Sequence, residues 1–374
     1  MQLNNKRYFE NEIPGKNQIE KSELIIEHLS RKKMFDKGKK NIKYRSLILT
    51  LILIVIFLFL YILILKKKLN KSEFLRNVYK IFRANIDIKL FLQNKTKFYY
   101  VYRNKHLNNR YNESNLKTFQ QKMNYLIIHE SPEYKSKIAD KIKLNEYSKK
   151  IIGKDICIPI IKIYNDVEEI NLDELPDKFV LKCNHGSGMN IFCKDKTTFN
   201  LERAKKILNN WLNINYGLRK AEFQYFFIER KVFASPYMGD NLIDYKTFCF
   251  NGKPKFIAAR IILNQKRDKF IYNYYDLNWK LTKIEYGSSK YKRDPNIIIE
   301  KPKNLDLIIN YASKLSKPFI FVRVDFYEIN GTLFLGELTF TPSNIGNSFK
   351  NEKQRLYLGS LLDINKIKSF LYNN

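Results

Sequence analysis

The chain has 374 residues, with 68 lysines and arginines against 37 acidic residues, a formal net charge of +31. That length supports one large or two ordinary domains with a sizeable core, and 44% hydrophobic with 14% aromatic residues exclude a disordered chain. With 13 glycines, collagen-like and glycine-rich classes are excluded too. Cys157, Cys183, Cys193 and Cys249 show no C-x-x-C spacing, so neither a zinc knuckle nor a disulfide framework is indicated. His28, His106, His129 and His185 are too scattered for a His-rich metal site. The charge alone would suit nucleic acid, but no reader motif or basic helix with interleaved aromatics accompanies it, and no nucleic-acid partner is expected.

Residues 1–46 are a basic N-terminal segment. Leu47 to Leu65 then runs 19 residues without a charge, interrupted only by Thr50 and Tyr61. At about 1.5 Å per residue, a helix of this length just crosses a hydrocarbon core of about 30 Å. It starts behind a charged stretch, too far into the chain for an ordinary signal peptide. A single-pass transmembrane helix at 47–65 is the expectation. Eight Lys/Arg precede it within 27–46 and seven follow within 66–85, so the charges assign no orientation. Residues 66–115 are basic and mostly polar, with the aromatic patch Phe98-Tyr99-Tyr100-Val101-Tyr102, and read as a juxtamembrane linker or helical segment.

From Leu116 the pattern changes. Residues 116–130 and 134–153 read as two amphipathic helices. Phe179 to Cys183 reads as a strand, Asn184-His185-Gly186-Ser187-Gly188 as a loop, and Met189 to Cys193 as a second strand. This glycine loop joins strand to strand, unlike a Walker loop or a dinucleotide fingerprint, which join strand to helix. Leu201 to Ile214 places Leu201, Ala204, Ile207, Leu208, Trp211 and Leu212 on one helical face, with Asn200 as N-cap. Two hairpins complete the chain. Residues 245–250 and 255–259 flank Asn251-Gly252, and residues 318–327 and 332–340 flank Asn330-Gly331; Asn-Gly between alternating strands is a strong hairpin signal. Helices alternating with antiparallel hairpins argue for an α+β protein of two or three lobes.

The residues that bear chemistry lie in these elements. Lys182 precedes a loop whose Gly186 and Gly188 let backbone amides approach a phosphate. Asp325 and Glu337 sit on the two arms of one otherwise apolar hairpin, where carboxylates need a partner. Either a buried ion pair such as Arg323–Asp325 or a Mg²⁺ ion supplies it. Register decides whether they meet. A strict two-residue Asn330-Gly331 loop pairs Asp325 with Gly336 and turns Glu337 to the opposite face. A three-residue loop, or an equivalent bulge, shifts the pairing by one. Arg323, Asp325, Glu337 and Thr339 then share one face, with Val324, Phe326 and Leu338 on the other. The loop or bulge is the expectation.

Blocks at 118–141, 176–196 (PDKFVLKCNHGSGMNIFCKDK), 244–257 (DYKTFCFNGKPKFI), 275–281 and 322–342 (VRVDFYEINGTLFLGELTFTP) occur in an order that resembles the TupA-like (teichuronopeptide biosynthesis) family of the ATP-grasp superfamily. The resemblance covers roughly residues 116–350. It implies an ATP-grasp α+β fold with two lobes, preceded by the transmembrane helix. Residues 116–374 would be the ATP-grasp domain: an N-terminal part at 116–175, a small nucleotide lobe at 176–240 and a large metal-binding lobe at 241–374. It further implies that Lys182 and Lys141 contact ATP phosphates and that Asn184, His185, Gly186, Ser187 and Gly188 close over the triphosphate. Asp244 and Lys246 match a block near the nucleotide. Asp325 and Glu337 would hold Mg²⁺, and Arg323 would face the transferred phosphate. Two positions depart from the family pattern. Thr339 stands where many members have Asn, so its hydroxyl or a water would complete the Mg²⁺ shell, and Ala234-Ser235-Pro236-Tyr237 stands where an acidic pair usually meets adenine.

The function so implied is a membrane-anchored ATP-grasp carboxylate–amine ligase of cell-surface polysaccharide biosynthesis. Its cofactors would be ATP and Mg²⁺, and its partners a glycan or amino acid bearing a carboxylate or an amine. Because ATP is cytosolic, the catalytic domain would face the cytoplasm. A glycosyltransferase of surface-polysaccharide assembly and a catalytically degenerate membrane-bound binding protein are the alternative readings.

Overall fold

The computed structural model describes residues 93–107, 111–240, 242–264, 270–285, 287, 291–345 and 349–367. All fall within one compact unit, Ile88–Asn374. Residues 1–46, the apolar run at 47–65 and residues 66–92 lie outside the described residues. Among the described residues no helix is long and apolar enough to cross a membrane.

Four helices come first: α1 (Lys95–His106), α2 (Phe119–His129), α3 (Pro132–Ala139) and α4 (Leu144–Ile152). Helix α1 falls in the segment read as linker or helix, and its Phe98 and Tyr99 are buried and pack with Phe223 inside the domain. Helix α2 starts at a capping box in which Thr118 and Gln121 satisfy each other's backbone amides. The single helix expected over 134–153 is broken at Asp140. That side chain accepts from Ile142 N at 2.9 Å and from Asn184 Nδ2 at 2.9 Å, holding a turn in place of helical continuation.

The small lobe follows: β1 (Lys162–Tyr164), β2 (Phe179–Cys183), β3 (Asn190–Cys193), α5 (Leu201–Leu212), α6 (Tyr216–Lys220) and β4 (Val232–Pro236). Asn200 caps α5 as expected, accepting from Arg203 N at 2.8 Å. The strands form an antiparallel sheet in the order β1-β4-β2-β3, so this lobe begins before residue 176. Leu181 and Ala234 share one apolar cluster with Ala204 and Leu208 of α5. Side chains alternate along a strand, so Val180, Lys182, Phe233 and Ser235 face the other way.

The large lobe comprises β5 (Asp244–Phe250), β6 (Lys253–Ile262), β7 (Phe270–Tyr275), β8 (Tyr291–Lys292), α7 (Leu305–Ser316), β9 (Phe321–Ile329), β10 (Thr332–Thr339) and α8 (Glu352–Ser360). Its six strands run β10-β9-β5-β6-β7-β8, with only the β7–β8 pair parallel. On one face Cys249, Ile257, Val322 and Val324 pack on Ile308, Ala312 and Leu315 of α7. Each fully buried Leu or Ile there contributes about 1.5–3 kcal/mol. The other face is divided. Its aromatic half, Phe248, Phe250, Phe256 and Phe321, is covered by α1, α2 and α8. Its charged half carries Asp244, Lys246, Arg260, Arg323 and Asp325.

Both hairpins use a two-residue turn and then a bulge. In the second, Thr332 pairs with Ile329, and Asn330 (φ 50) with Gly331 (φ 74) form the turn. The pairing shifts between Leu335 and Glu337, so that Glu337 stands opposite Asp325 and Thr339 opposite Arg323. The loop therefore has two residues rather than three, and the bulge at Gly336 supplies the expected shift. A Cβ at Gly336 would lie 2.6 Å from Tyr327 Cε2, so close packing of that ring requires glycine. In the first hairpin Phe250 pairs with Lys253 around Asn251-Gly252, and a shift beyond Phe248 brings Arg260 opposite Asp244.

Candidate active site

The two sheets face each other across a cleft of about 200 Å³, lined by Val180, Lys182 and Phe233 on one side and by Arg260, Tyr327 and Glu337 on the other. Leu335, Met238 and the Ser235-Pro236-Tyr237 segment line it as well. Lys141 reaches it from the turn that interrupts the expected helix. The Lys141 ammonium donates to Gly186 O at 2.6 Å and lies 5.8 Å from the Tyr225 ring centroid. Lys182 is half-buried on β2, and no carboxylate lies within ion-pair distance of it among the described residues. Burial, aided by Lys141 and opposed by Glu337, lowers its pKa from 10.5 to about 8. A desolvated ammonium with no anion beside it is a site prepared for one.

Opposite stands a ladder of charges set by register. Asp325 is 1% exposed. It accepts from Arg323 Nε at 2.6 Å and Arg323 Nη2 at 2.5 Å, and from Lys246 Nζ at 2.6 Å. Lys246 also meets Asp244 Oδ2 at 2.9 Å. Arg323 Nη2 extends to Glu337 Oε1 at 3.2 Å and Thr339 Oγ1 at 3.0 Å, and the Thr339 hydroxyl donates to Glu337 Oε1 at 2.9 Å. Burial would raise the Glu337 pKa, but Lys141, Arg323 and Lys246 overcome it and hold it at about 2. Burial likewise pushes Asp244 up, and Lys246 with Arg260 brings it below the ordinary carboxylate range.

The structure thus places Lys141, Lys182 and Glu337 on the cleft and links Asp244, Lys246, Arg323, Asp325 and Thr339 to Glu337 through the buried charge ladder. It reassigns part of the glycine loop. Asn184 is 1% exposed, and its amide donates to Asp140 Oδ1 and Glu229 O, both at 2.9 Å, while accepting from Lys231 N at 2.9 Å. Its side chain staples the loop to the Lys141 turn and is not free to close over a triphosphate. His185 is fully buried, with Nε2 3.1 Å from Trp211 O, and burial lowers its pKa to about 4. It is a neutral prop of the loop, not a cation for phosphate. Gly186 carries the Tyr216 ring where a Cβ would sit, at 2.8 Å. Ser187 and Gly188 stand exposed at the loop tip.

The metal set is reassigned in part as well. Among the described residues no group of three or more His, Cys, Asp or Glu could hold a metal ion. Both oxygens of Asp325 are engaged by Arg323 and Lys246, so the ion-pair partner is the one realised there. Glu337, facing the cleft, fits a cation; Asp325 as arranged does not.

Arg260, Tyr327 and Leu335 are cleft residues that the sequence motifs did not mark. The signal for Arg260 was the hairpin register, but a plain two-residue turn would have placed residue 259 opposite Asp244.

Two mainly antiparallel sheets facing each other across a lysine-lined cleft are the arrangement of an ATP-grasp fold. The chain belongs to the TupA-like ATP-grasp family, whose profile matches residues 117–363. Among solved structures it is similar to a D-alanine–D-alanine ligase from Bacillus anthracis complexed with ATP, at 14% identity and a TM-score of 0.34. That match covers 61% of this chain and 63% of the ligase. It is similar also to a D-alanyl-alanine synthetase A from Vibrio cholerae, at 13% identity and TM-score 0.40, covering 65% and 68%. A biotin carboxylase complex from Campylobacter jejuni matches at 14% identity and TM-score 0.35, covering 68% and 51%. No curated protein matches the chain.

Proposed function

We propose that this chain is an ATP-dependent carboxylate–amine ligase, anchored to a membrane through residues 47–65 and acting in cell-surface polysaccharide biosynthesis. The observation that carries the ligase reading is the Lys182 ammonium, desolvated, without a carboxylate partner among the described residues, and facing Glu337 across the cleft. Family membership supports the same reading.

Lys182 and Lys141 bind the phosphates of ATP, and Arg323 neutralises charge on the transferred group. The base lies against the Ser235-Pro236-Tyr237 segment, where the buried Ser235 hydroxyl has no partner among the described residues. Glu337, with Thr339 beside it, would hold Mg²⁺, whose part when bound is to screen phosphate charge. A substrate carboxylate oxygen attacks the γ-phosphorus, forming an acyl phosphate and releasing ADP. An amine then attacks the acyl carbon and loses a proton as phosphate leaves, giving an amide. The cleft's work is positioning and charge neutralisation.

The test is ADP and amide formation by the full chain in detergent, with ATP, Mg²⁺ and paired amino acids and uronic-acid glycans. Absence of ADP formation with every pair would defeat the ligase reading. For the anchor, the apolar run is the support and the cytosolic location of ATP sets the orientation. Thiol labelling of a cysteine placed near Asn374 from outside intact cells would contradict a cytoplasmic domain.

A further inference from the structure

The charged face of the large sheet continues beyond Glu337 to Arg260, which stands on β6 opposite Asp244 of β5 and Tyr272 of β7. Arg260 Nη2 donates to Asp244 Oδ2 at 2.7 Å, and the guanidinium lies 5.1 Å from the Phe270 ring centroid. Its Nε is buried without a hydrogen-bond partner, and so is Asp244 Oδ1, on a residue that is 1% exposed. Native proteins rarely leave such groups open unless something else engages them. The Arg260 side chain is 24% exposed and lines the same cleft as Lys141 and Lys182.

Charge counting narrows its partner. Lys141, Lys182, Lys246, Arg260 and Arg323 face Asp244, Asp325 and Glu337. Lys246 is held by Asp244 and Asp325, and Arg323, held by Asp325 and Glu337, falls to the transferred group. Lys141 and Lys182 fall to the phosphates, a step that rests on the ligase reading. Arg260 has only one oxygen of Asp244, shared with Lys246, and keeps donors to spare. A planar fork of this kind suits a carboxylate.

Position excludes the reacting carboxylate. In the order β10-β9-β5-β6, Arg260 is three strands from Glu337, about 14 Å between backbones at about 4.8 Å per strand. Side chains stand roughly perpendicular to a sheet, so one carboxylate cannot serve both positions. We infer that Arg260, held by Asp244, binds a substrate carboxylate other than the one being activated. The substrate pair therefore includes a carboxylate-bearing amino acid or sugar whose acid group is recognised but not consumed.

The test is ligand-observed NMR titration of the full chain in detergent with glutamate and with glucuronate, using glutamine and glucose as neutral controls. At least one acid is expected to bind wild type more tightly than its neutral counterpart. Arg260→Gln should weaken that acid at least tenfold and Arg260→Lys less, with ATP binding by both variants close to wild type as the check on folding. Which acid binds distinguishes the amino-acid from the sugar source. Equal acid binding by Arg260→Gln, no acid binding by wild type, or a parallel loss of ATP binding would each overturn the inference. Acid binding that depends on Arg260 in a protein that forms no ADP would instead overturn the ligase reading alone.

Discussion

Replacing Lys182 with methionine separates binding from stability. The side chain keeps most of its unbranched stem and loses its charge. In the folded chain the Lys182 pKa is about 8 against an ordinary 10.5. The charged form therefore carries a penalty on the order of 3 kcal/mol, taken as a ceiling. The sign is that of a depressed folded-state pKa. Stability from this group is fully present above pH 10.5 and is lost as pH falls through about 8. At pH 7 the penalty is in force, so Lys182→Met should raise the melting temperature of the ligand-free protein. At about 2–4 °C per kcal/mol for a chain of this size, the rise is several degrees. ATP affinity should fall at least tenfold, about 1.4 kcal/mol. Differential scanning fluorimetry with and without ATP reads both quantities, and the wild-type shift with ATP should be missing in the variant. A variant that melts lower than wild type and still gains its full shift from ATP would refute the reasoning.

Other substitutions probe the supports of the site. Gly336→Val drives its Cβ into the Tyr327 ring and should destabilise by about 1–3 kcal/mol, with Tyr327→Ala in the same chain restoring part of the loss in urea unfolding. Asn184→Ala strands Asp140 and Lys231 N; a cost of about 1–3 kcal/mol and weaker ATP binding through the loosened Lys141 turn are expected by calorimetry. His185, at about 4 when folded against 6.5, contributes stability that is present above pH 6.5 and lost as pH falls through about 4. His185→Gln should flatten that acid loss, roughly 3 kcal/mol in full, in a pH series of melting temperatures.

Local signals were legible where the responsible chemistry is local. Phe179 to Cys183 is the strand expected, Asn200 caps α5, and both Asn-Gly turns sit where the hairpins needed them. The shared face of Asp325 and Glu337 also followed from counting residues, although a bulge and not the loop provides it. What escaped depends on distant partners. The break at Asp140 needs Asn184, and the fates of Asn184 and His185 need Glu229, Lys231 and Trp211. Arg260 needs a bulge in β6, and the closure of Asp325 by Lys246 needs strands joined across 79 positions. None of these is written in a neighbourhood of a few residues.

The bulge at Gly336 also limits how this segment can change in length. Twelve positions, an even interval, separate Asp325 from Glu337, while a plain hairpin with this turn pairs residues an odd interval apart. Loss of Gly336 alone would leave an unbroken ladder in which the same glutamate still meets Asp325, its neighbours on their present faces. A single residue lost from the turn offers no such recovery unless another loop geometry replaces it. Single-residue deletions in this hairpin are therefore expected to be tolerated at 336 and selected against at 330 and 331. That asymmetry would be visible in a deletion scan scored by growth or folding.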